Sequence, residues 1–160
     1  MAKRILVPVD PRDDSIVPIL AALARGSGAT VRLLRVMSVP EMKVARYGRV
    51  IAYADQEMAR LQGEAMDDLD VIKAQLDGIP VEAVVRFGAP VAEIALEAEV
   101  FGADVIVLTS SHRGPLARLF RSDVSNRVVR KSRVPVLVLR SGRAPASAGW
   151  RRLSTAPLFT

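Results

Sequence analysis

Short apolar runs alternate along this chain with longer segments whose apolar residues fall at helical spacing. The runs have the length and the β-branched content of strands that are buried on both faces. They are Ile5–Val9, Val31–Val36, Val81–Val85, Val105–Leu108 and Val134–Leu139. Strands that alternate with helices form right-handed crossovers, which produce a parallel sheet. We therefore predict an α/β fold: a doubly wound, Rossmann-like sheet of five parallel strands in the order 3-2-1-4-5, with helices on both faces.

Glycine and proline mark the ends of the helical segments. The first helix is predicted over about Ser15–Arg25 and ends at Gly26 and Gly28. Either Asp13 or Asp14 is expected to cap it. Its inward residues are predicted to be Ile16, Ile19, Leu20 and Leu23. The other helices are predicted over about Val50–Leu76, from Pro90 to the residue before Gly102, and over about Pro115–Lys131.

One edge of such a sheet is the expected ligand site. Sheets of this order bind ligands beyond the carboxyl ends of the strands, where strands 1 and 4 separate. The loops after Val9 and Leu108 meet at that edge. Asp10 follows the first strand directly, so its carboxylate could accept hydrogen bonds from a ribose hydroxyl or an adenine amine. The alternative interpretation is that Asp10 caps the turn beside Pro11.

A loop of small residues, Thr109–Gly114, follows the fourth strand and precedes a predicted helix. The first backbone N–H groups of a helix can hold an anion. Three arginines lie near this loop in sequence: Arg113, Arg118 and Arg121. The loop is therefore a candidate anion site, although an ordinary polar connection would have the same composition.

The residue inventory excludes several kinds of chemistry. Without cysteine the chain has no disulfide, iron–sulfur cluster or thiol nucleophile, and His112 is its only histidine, so a zinc site is not expected. No Gly-x4-Gly-Lys-Ser/Thr loop occurs, and no Gly-x-Gly-x-x-Gly follows the first strand. Ser111, His112 and Asp10 are not expected to form a catalytic triad, because adjacent side chains on a loop rarely face each other.

Charge is divided unequally along the chain. Residues 1–109 carry a formal charge of −4, whereas residues 110–160 carry +10 and contain one acidic residue, Asp123. The basic third could bind an anionic partner, or it could be a solvated surface that keeps the protein soluble. No apolar run is long enough to span a membrane, and the one after Arg4 stops at Asp10, too early for a signal peptide. A cytoplasmic protein without a membrane partner is therefore expected.

Three segments together resemble the universal stress protein family. Ile5–Asp10 is similar to its first strand and ligand-side aspartate, Ala103–Leu108 to its fourth strand, and Ser125–Arg140 to its last helix and strand. The resemblance covers about residues 3–140 and implies one domain over residues 1–140. Residues 141–160 are predicted to be a flexible basic tail. The resemblance also implies a homodimer that pairs through the last strand, Val134–Leu139.

Members of this family that bind ATP carry Gly-x2-Gly-x9-Gly-Ser/Thr after the fourth strand, and this chain departs from that pattern. Ser110 stands at the first glycine, Arg113-Gly114 covers the second in a loop one residue short, and Ser122 stands at the third. Asp123 replaces the final hydroxyl residue. A carboxylate about 4 Å from a phosphate costs on the order of 4 kcal/mol at an effective dielectric constant near 20. Weak or absent ATP binding is therefore expected.

The leading hypothesis is a stress-response regulatory protein that acts by binding, as a homodimer, rather than by catalytic turnover. Its adenosine pocket would be kept at Asp10 and at Val36-Met37, so a nucleotide with few phosphates, such as AMP, remains a candidate ligand. The second hypothesis is an ATP-binding protein with slow hydrolysis, and the third is anion or nucleic-acid binding through the basic third. With 4% aromatic residues, nucleic acid is the least favoured partner. The candidate binding residues are Asp10, Val36, Met37, Thr109, Ser110, Ser111, Arg113, Gly114, Ser122, Asp123 and Val124.

Overall fold

The structure is a computed structural model that describes residues 3–10, 15–40, 53–110 and 123–140. Strands and helices alternate without exception over these residues. In chain order they are β1 (Arg4–Pro8), α1 (Val17–Ser27), β2 (Thr30–Met37), α2 (Tyr53–Gln75), β3 (Val81–Phe87), α3 (Pro90–Phe101), β4 (Val105–Ser110), α4 (Asp123–Lys131) and β5 (Val136–Arg140). All pairings are parallel and the order is β3-β2-β1-β4-β5, which confirms the predicted fold class.

The order of the strands places two helices on each face of the sheet. The chain moves from β1 outward to β3 and then returns across the sheet to β4, so right-handed crossovers put α1 and α2 on one face and α3 and α4 on the other. Leu33 of β2 is buried with Leu69 of α2 on the first face. Its neighbour Leu34 is buried with Ile94 of α3 and Val128 of α4 on the second. Of the helices described, none is both long and apolar enough to cross a membrane.

The buried face of α1 agrees with the prediction in part. Ile16 and Leu20 are buried as predicted, whereas Ile19 and Leu23 are exposed. Val17, Ala21 and Ala24 complete the buried face. The observed face therefore includes two alanines in place of the larger Ile19 and Leu23.

The ends of the helices agree in part with the prediction. Gly28 ends α1 and Gly102 ends α3, each with a left-handed backbone, whereas Gly26 lies inside α1. The residue at the start of α1 is Ile16, which makes no side-chain capping bond, and the predicted caps lie outside the described residues. The last strand begins at Val136 and not at Val134, because the Val134 amide donates to the Ser132 side chain in a preceding turn.

A buried carboxylate joins α3 to the two strands at one edge of the sheet. The Glu97 side chain is only 2% exposed and accepts hydrogen bonds from Arg32 of β2, at 2.6 Å, and from Arg86 of β3. Arg32 also pairs with Glu82, and its guanidinium lies 4.1 Å from the centre of the Phe101 ring. Burial lowers the pKa of Arg32, but the hydrogen bonds to Glu82 and Glu97 outweigh burial and hold this pKa above its ordinary value. Arg32 therefore stays charged against Glu97.

Replacing Glu97 with Gln should lower the free energy of unfolding by about 3 kcal/mol, because two largely buried arginines lose their shared counter-charge. Glu82→Gln is the matched control, since it removes a carboxylate from the same Arg32 at a side chain that is 50% exposed. That change should cost less than about 1 kcal/mol. Urea denaturation of both variants checks the difference. Equal losses would contradict a central role for Glu97.

Candidate functional site

The strand β1 is shorter than its two neighbours at the carboxyl edge of the sheet. It pairs with β2 as far as Pro8, but its pairing with β4 stops at Leu6. The hydrogen bonds on the β2 side fall on Val9, whose amide donates to the Leu34 carbonyl at 2.9 Å. Since alternate residues of a parallel strand bond to opposite neighbours, Pro8 faces β4. Proline has no amide hydrogen, so Pro8 cannot donate the next hydrogen bond of the β1–β4 ladder.

We call the space between the ends of β2 and β4, beyond the last pairing of β1, the crevice. Continuing the two registers by simple counting brings Asp10 level with Val36 of β2 and with Ser110 of β4. Because neighbouring strands lie about 4.8 Å apart, the backbones of β2 and β4 are separated by about 10 Å at this level. The crevice has the width of one missing strand, and Asp10 stands at its base.

The backbone of Val36 faces this crevice. Leu34 bonds to β1 through its carbonyl, and the Met37 carbonyl accepts the Gly88 amide of the β3 side at 2.9 Å. Alternation then directs the N–H and the C=O of Val36 toward the β1 side, at the level where β1 has ended. One donor and one acceptor from a single residue are thus presented side by side to whatever fills the crevice.

Asp10 is held beside a cation that the sequence did not predict for the site. The Asp10 side chain is 5% exposed, and its Oδ1 lies 3.5 Å from Nη1 of Arg35, whose side chain is 17% exposed. The pair is longer than a charge-assisted hydrogen bond of about 2.8 Å. Arg35 Nη1 has no hydrogen-bond partner among the described residues. Arg35 offsets the charge of a buried carboxylate without forming a tight pair with it.

The signal for Arg35 was present in the sequence. It is one of two arginines in an otherwise apolar β2, the other being Arg32. A charge within a strand that is covered on both faces needs a partner. The two arginines are three residues apart, so their side chains lie on opposite faces of the strand. Arg32 therefore pairs with Glu97 and Arg35 with Asp10.

The predicted site residues fall into three groups. The described edge brings together Asp10, Val36, Met37, Thr109 and Ser110, the last by its backbone pairing with Arg140. Asp123 and Val124 begin α4, and only their backbone is described. The remaining four, Ser111, Arg113, Gly114 and Ser122, lie outside the described residues. The structure thus describes the aspartate half of the predicted site, and the roles assigned to the other half stay predictions.

A glycine turn joins the β2 end of the crevice to the start of α3. The Gly88 amide binds the Met37 carbonyl, and a Cβ on Gly88 would lie 2.7 Å from Oε1 of Glu93. Gly88 also has φ +148°, which side chains rarely adopt. The Glu93 side chain lies over the turn, and its Oε2 is 3.5 Å from Nη1 of Arg86.

In the part of the chain that is described, no three acidic or histidine side chains converge as metal ligands would.

Known proteins are similar to this chain in sequence and in fold. The profile of the universal stress protein family matches residues 1–140. Universal stress protein MJ0577 of Methanocaldococcus jannaschii is 28% identical over 155 residues, which cover 88% of this chain and 96% of that protein. The solved structure of MJ0577 superimposes with a TM-score of 0.72 and covers 90% of this chain and 99% of its own.

Two further structures share the fold at lower identity. A universal stress protein in complex with cAMP has a TM-score of 0.57 at 23% identity, covering 88% of this chain and 98% of its own. The universal stress protein of Archaeoglobus fulgidus in complex with dAMP has a TM-score of 0.55 at 20% identity, covering 85% and 96%. The family profile spans all of the strands and helices described above. This chain belongs to the universal stress protein family.

Proposed function

We propose that this chain is a stress-response regulatory protein that binds an adenine nucleoside or a nucleotide with few phosphates in the crevice beyond β1. The proposal is carried by one observation: Asp10 and Val36 lie at the same level of the sheet, and the backbone N–H and C=O of Val36 face the crevice. The relatives solved with cAMP and dAMP share only the fold at their identities, so the geometry of this chain is the support.

The crevice offers groups that match adenosine. Adenine presents an amine donor and a ring-nitrogen acceptor side by side, which complement the C=O and N–H of Val36. The carboxylate of Asp10 accepts a hydrogen bond from a ribose hydroxyl, and Arg35 at 3.5 Å keeps that carboxylate in place. The gap of about 10 Å between β2 and β4 admits a flat ring between them.

We further propose that the ligand acts by occupancy rather than by turnover, and that triphosphates bind weakly. The support is the sequence after β4, where serines replace two glycines and Asp123 replaces a hydroxyl residue. Glycines let a backbone approach a phosphate closely, and a carboxylate repels it. The affinity for an adenine nucleotide would therefore fall as its number of phosphates rises.

Changing Asp10 to Asn should weaken AMP and adenosine binding by about tenfold or more, because a hydrogen bond to a charged acceptor contributes about 1.5–3 kcal/mol. Isothermal titration calorimetry measures the change. Asp104→Asn is the matched control, since Asp104 is an exposed aspartate at the opposite edge of the sheet and bonds the Arg4 amide. Unchanged adenosine binding in Asp10→Asn would contradict the proposed pocket.

Changing Asp123 to Ser should raise ATP affinity by about tenfold or more while leaving AMP affinity unchanged, since only the longer phosphate chain meets the removed charge. The same titrations with both nucleotides give the two values. If ATP already binds the unaltered protein more tightly than AMP does, the proposed defect at the phosphate end is wrong.

The proposed regulator is a homodimer joined through β5. This strand lies at the edge of the sheet, and its adjacent residues Leu137 and Val138 are each 41% exposed, on opposite faces. An exposed apolar edge strand calls for cover by a partner. A second copy that pairs along β5 would supply that cover.

The double change Leu137→Glu and Val138→Glu should convert the dimer to a monomer, because it places charges on both faces of the proposed interface. Sedimentation velocity at micromolar concentration measures the mass. Val100→Glu, at an exposed valine of α3, should leave the dimer intact. A monomeric unaltered protein would refute the interface.

A further inference from the structure

A groove lies apart from the crevice, between the start of α3 and the second half of α4. It encloses about 590 Å³ and is lined by Ala89, Pro90, Val91 and Ala92 on one side and by Arg127, Arg130 and Lys131 on the other. None of the candidate nucleotide-binding residues whose side chains are described contributes to it. Its chemistry therefore needs a separate account.

The α4 wall of the groove carries three positive charges on one helix face. Arg127, Arg130 and Lys131 are spaced i, i+3 and i+4, which brings their side chains to the same side of α4, and all three are exposed. Among the described residues that line the groove, none is acidic. The nearest acids on the described part of α3, Glu93 and Glu97, turn toward Arg86 of the sheet instead.

The α3 wall is apolar. Pro90 and Val91 present carbon surface between two alanines, and the surface of the groove as a whole is mostly apolar. A simple anion would pair with the cations and leave the apolar wall exposed to water. A purely apolar ligand would have no use for three exposed cations. The occupant that satisfies both walls is an amphipathic anion.

We propose that this groove docks an acidic segment of a partner protein that inserts an apolar side chain against Pro90 and Val91. Carboxylates on either side of that anchor pair with Arg127, Arg130 and Lys131. The cations are exposed, so a small amphipathic acid would leave much of its own surface in water, whereas a peptide continues past the groove and covers them. The inference does not depend on nucleotide binding in the crevice.

The test uses the full chain and three synthetic peptides of 12 residues or so, a length chosen to cross the groove about once. The first carries one central Leu among glutamates, the second has Gln for every Glu, and the third has Ala for the Leu. Fluorescence anisotropy should give at least about tenfold tighter binding for the first than for either other. Its affinity should fall as salt rises.

Protein variants locate the site. The triple change Arg127→Gln, Arg130→Gln and Lys131→Gln should abolish the preference for glutamate, and because these side chains are exposed the fold should persist in circular dichroism. The control Lys3→Gln, Arg25→Gln and Lys73→Gln removes the same number of exposed charges elsewhere and should bind as the unaltered protein does. Val91→Asp should also eliminate binding, through loss of the apolar wall.

Several results would overturn the proposal. Equal losses in the two triple variants would mean that the peptide responds to net charge and not to the groove. Equal binding of the Leu and Ala peptides would remove the anchor. If a groove variant keeps its peptide binding but changes the mass measured by sedimentation velocity, the groove is a contact with a second copy of this chain. Absence of binding at millimolar peptide would leave no docking site.

Discussion

The missing amide hydrogen of Pro8 is the constraint on which the carboxyl edge depends. Without it, Pro8 cannot donate the next hydrogen bond to β4, and the pairing of β1 with β4 stops at Leu6 while β2 and β4 run on to Met37 and Ser110. The central strand thus ends first. The backbone of Val36 is left facing the β1 side beyond the last pairing of β1, at the level of Asp10.

The sequence predicts most of the framework because buried parallel strands are apolar throughout and right-handed crossovers leave few strand orders. It predicts Asp10 at the edge for the same reason. It could not predict the partners of Asp10 and Glu97, because Arg35 and Arg86 reach them through strand register and helix placement. The predicted face of α1 was right at Ile16 and Leu20 and wrong at Ile19 and Leu23. Two helical stripes share Leu20, and only packing against the sheet distinguishes them.

The two proposed binding surfaces meet at one turn. Gly88 binds the Met37 carbonyl at the end of β2, and the residues that follow it form the apolar wall of the groove. Glu93 lies so close to Gly88 that a side chain there would displace it. The turn therefore links the end of β2 to the start of α3 by a direct hydrogen bond.

The buried Glu97 constrains how this chain can vary over generations. Its carboxylate is shared by Arg32 and Arg86, which come from two strands, and neither arginine keeps a comparably buried partner without it. A drift of Glu97 to a neutral residue leaves both guanidinium groups without a buried counter-charge, whereas loss of one arginine leaves Glu97 paired with the other. Descendants that keep the fold should therefore lose the charge at position 97 only together with those at positions 32 and 86.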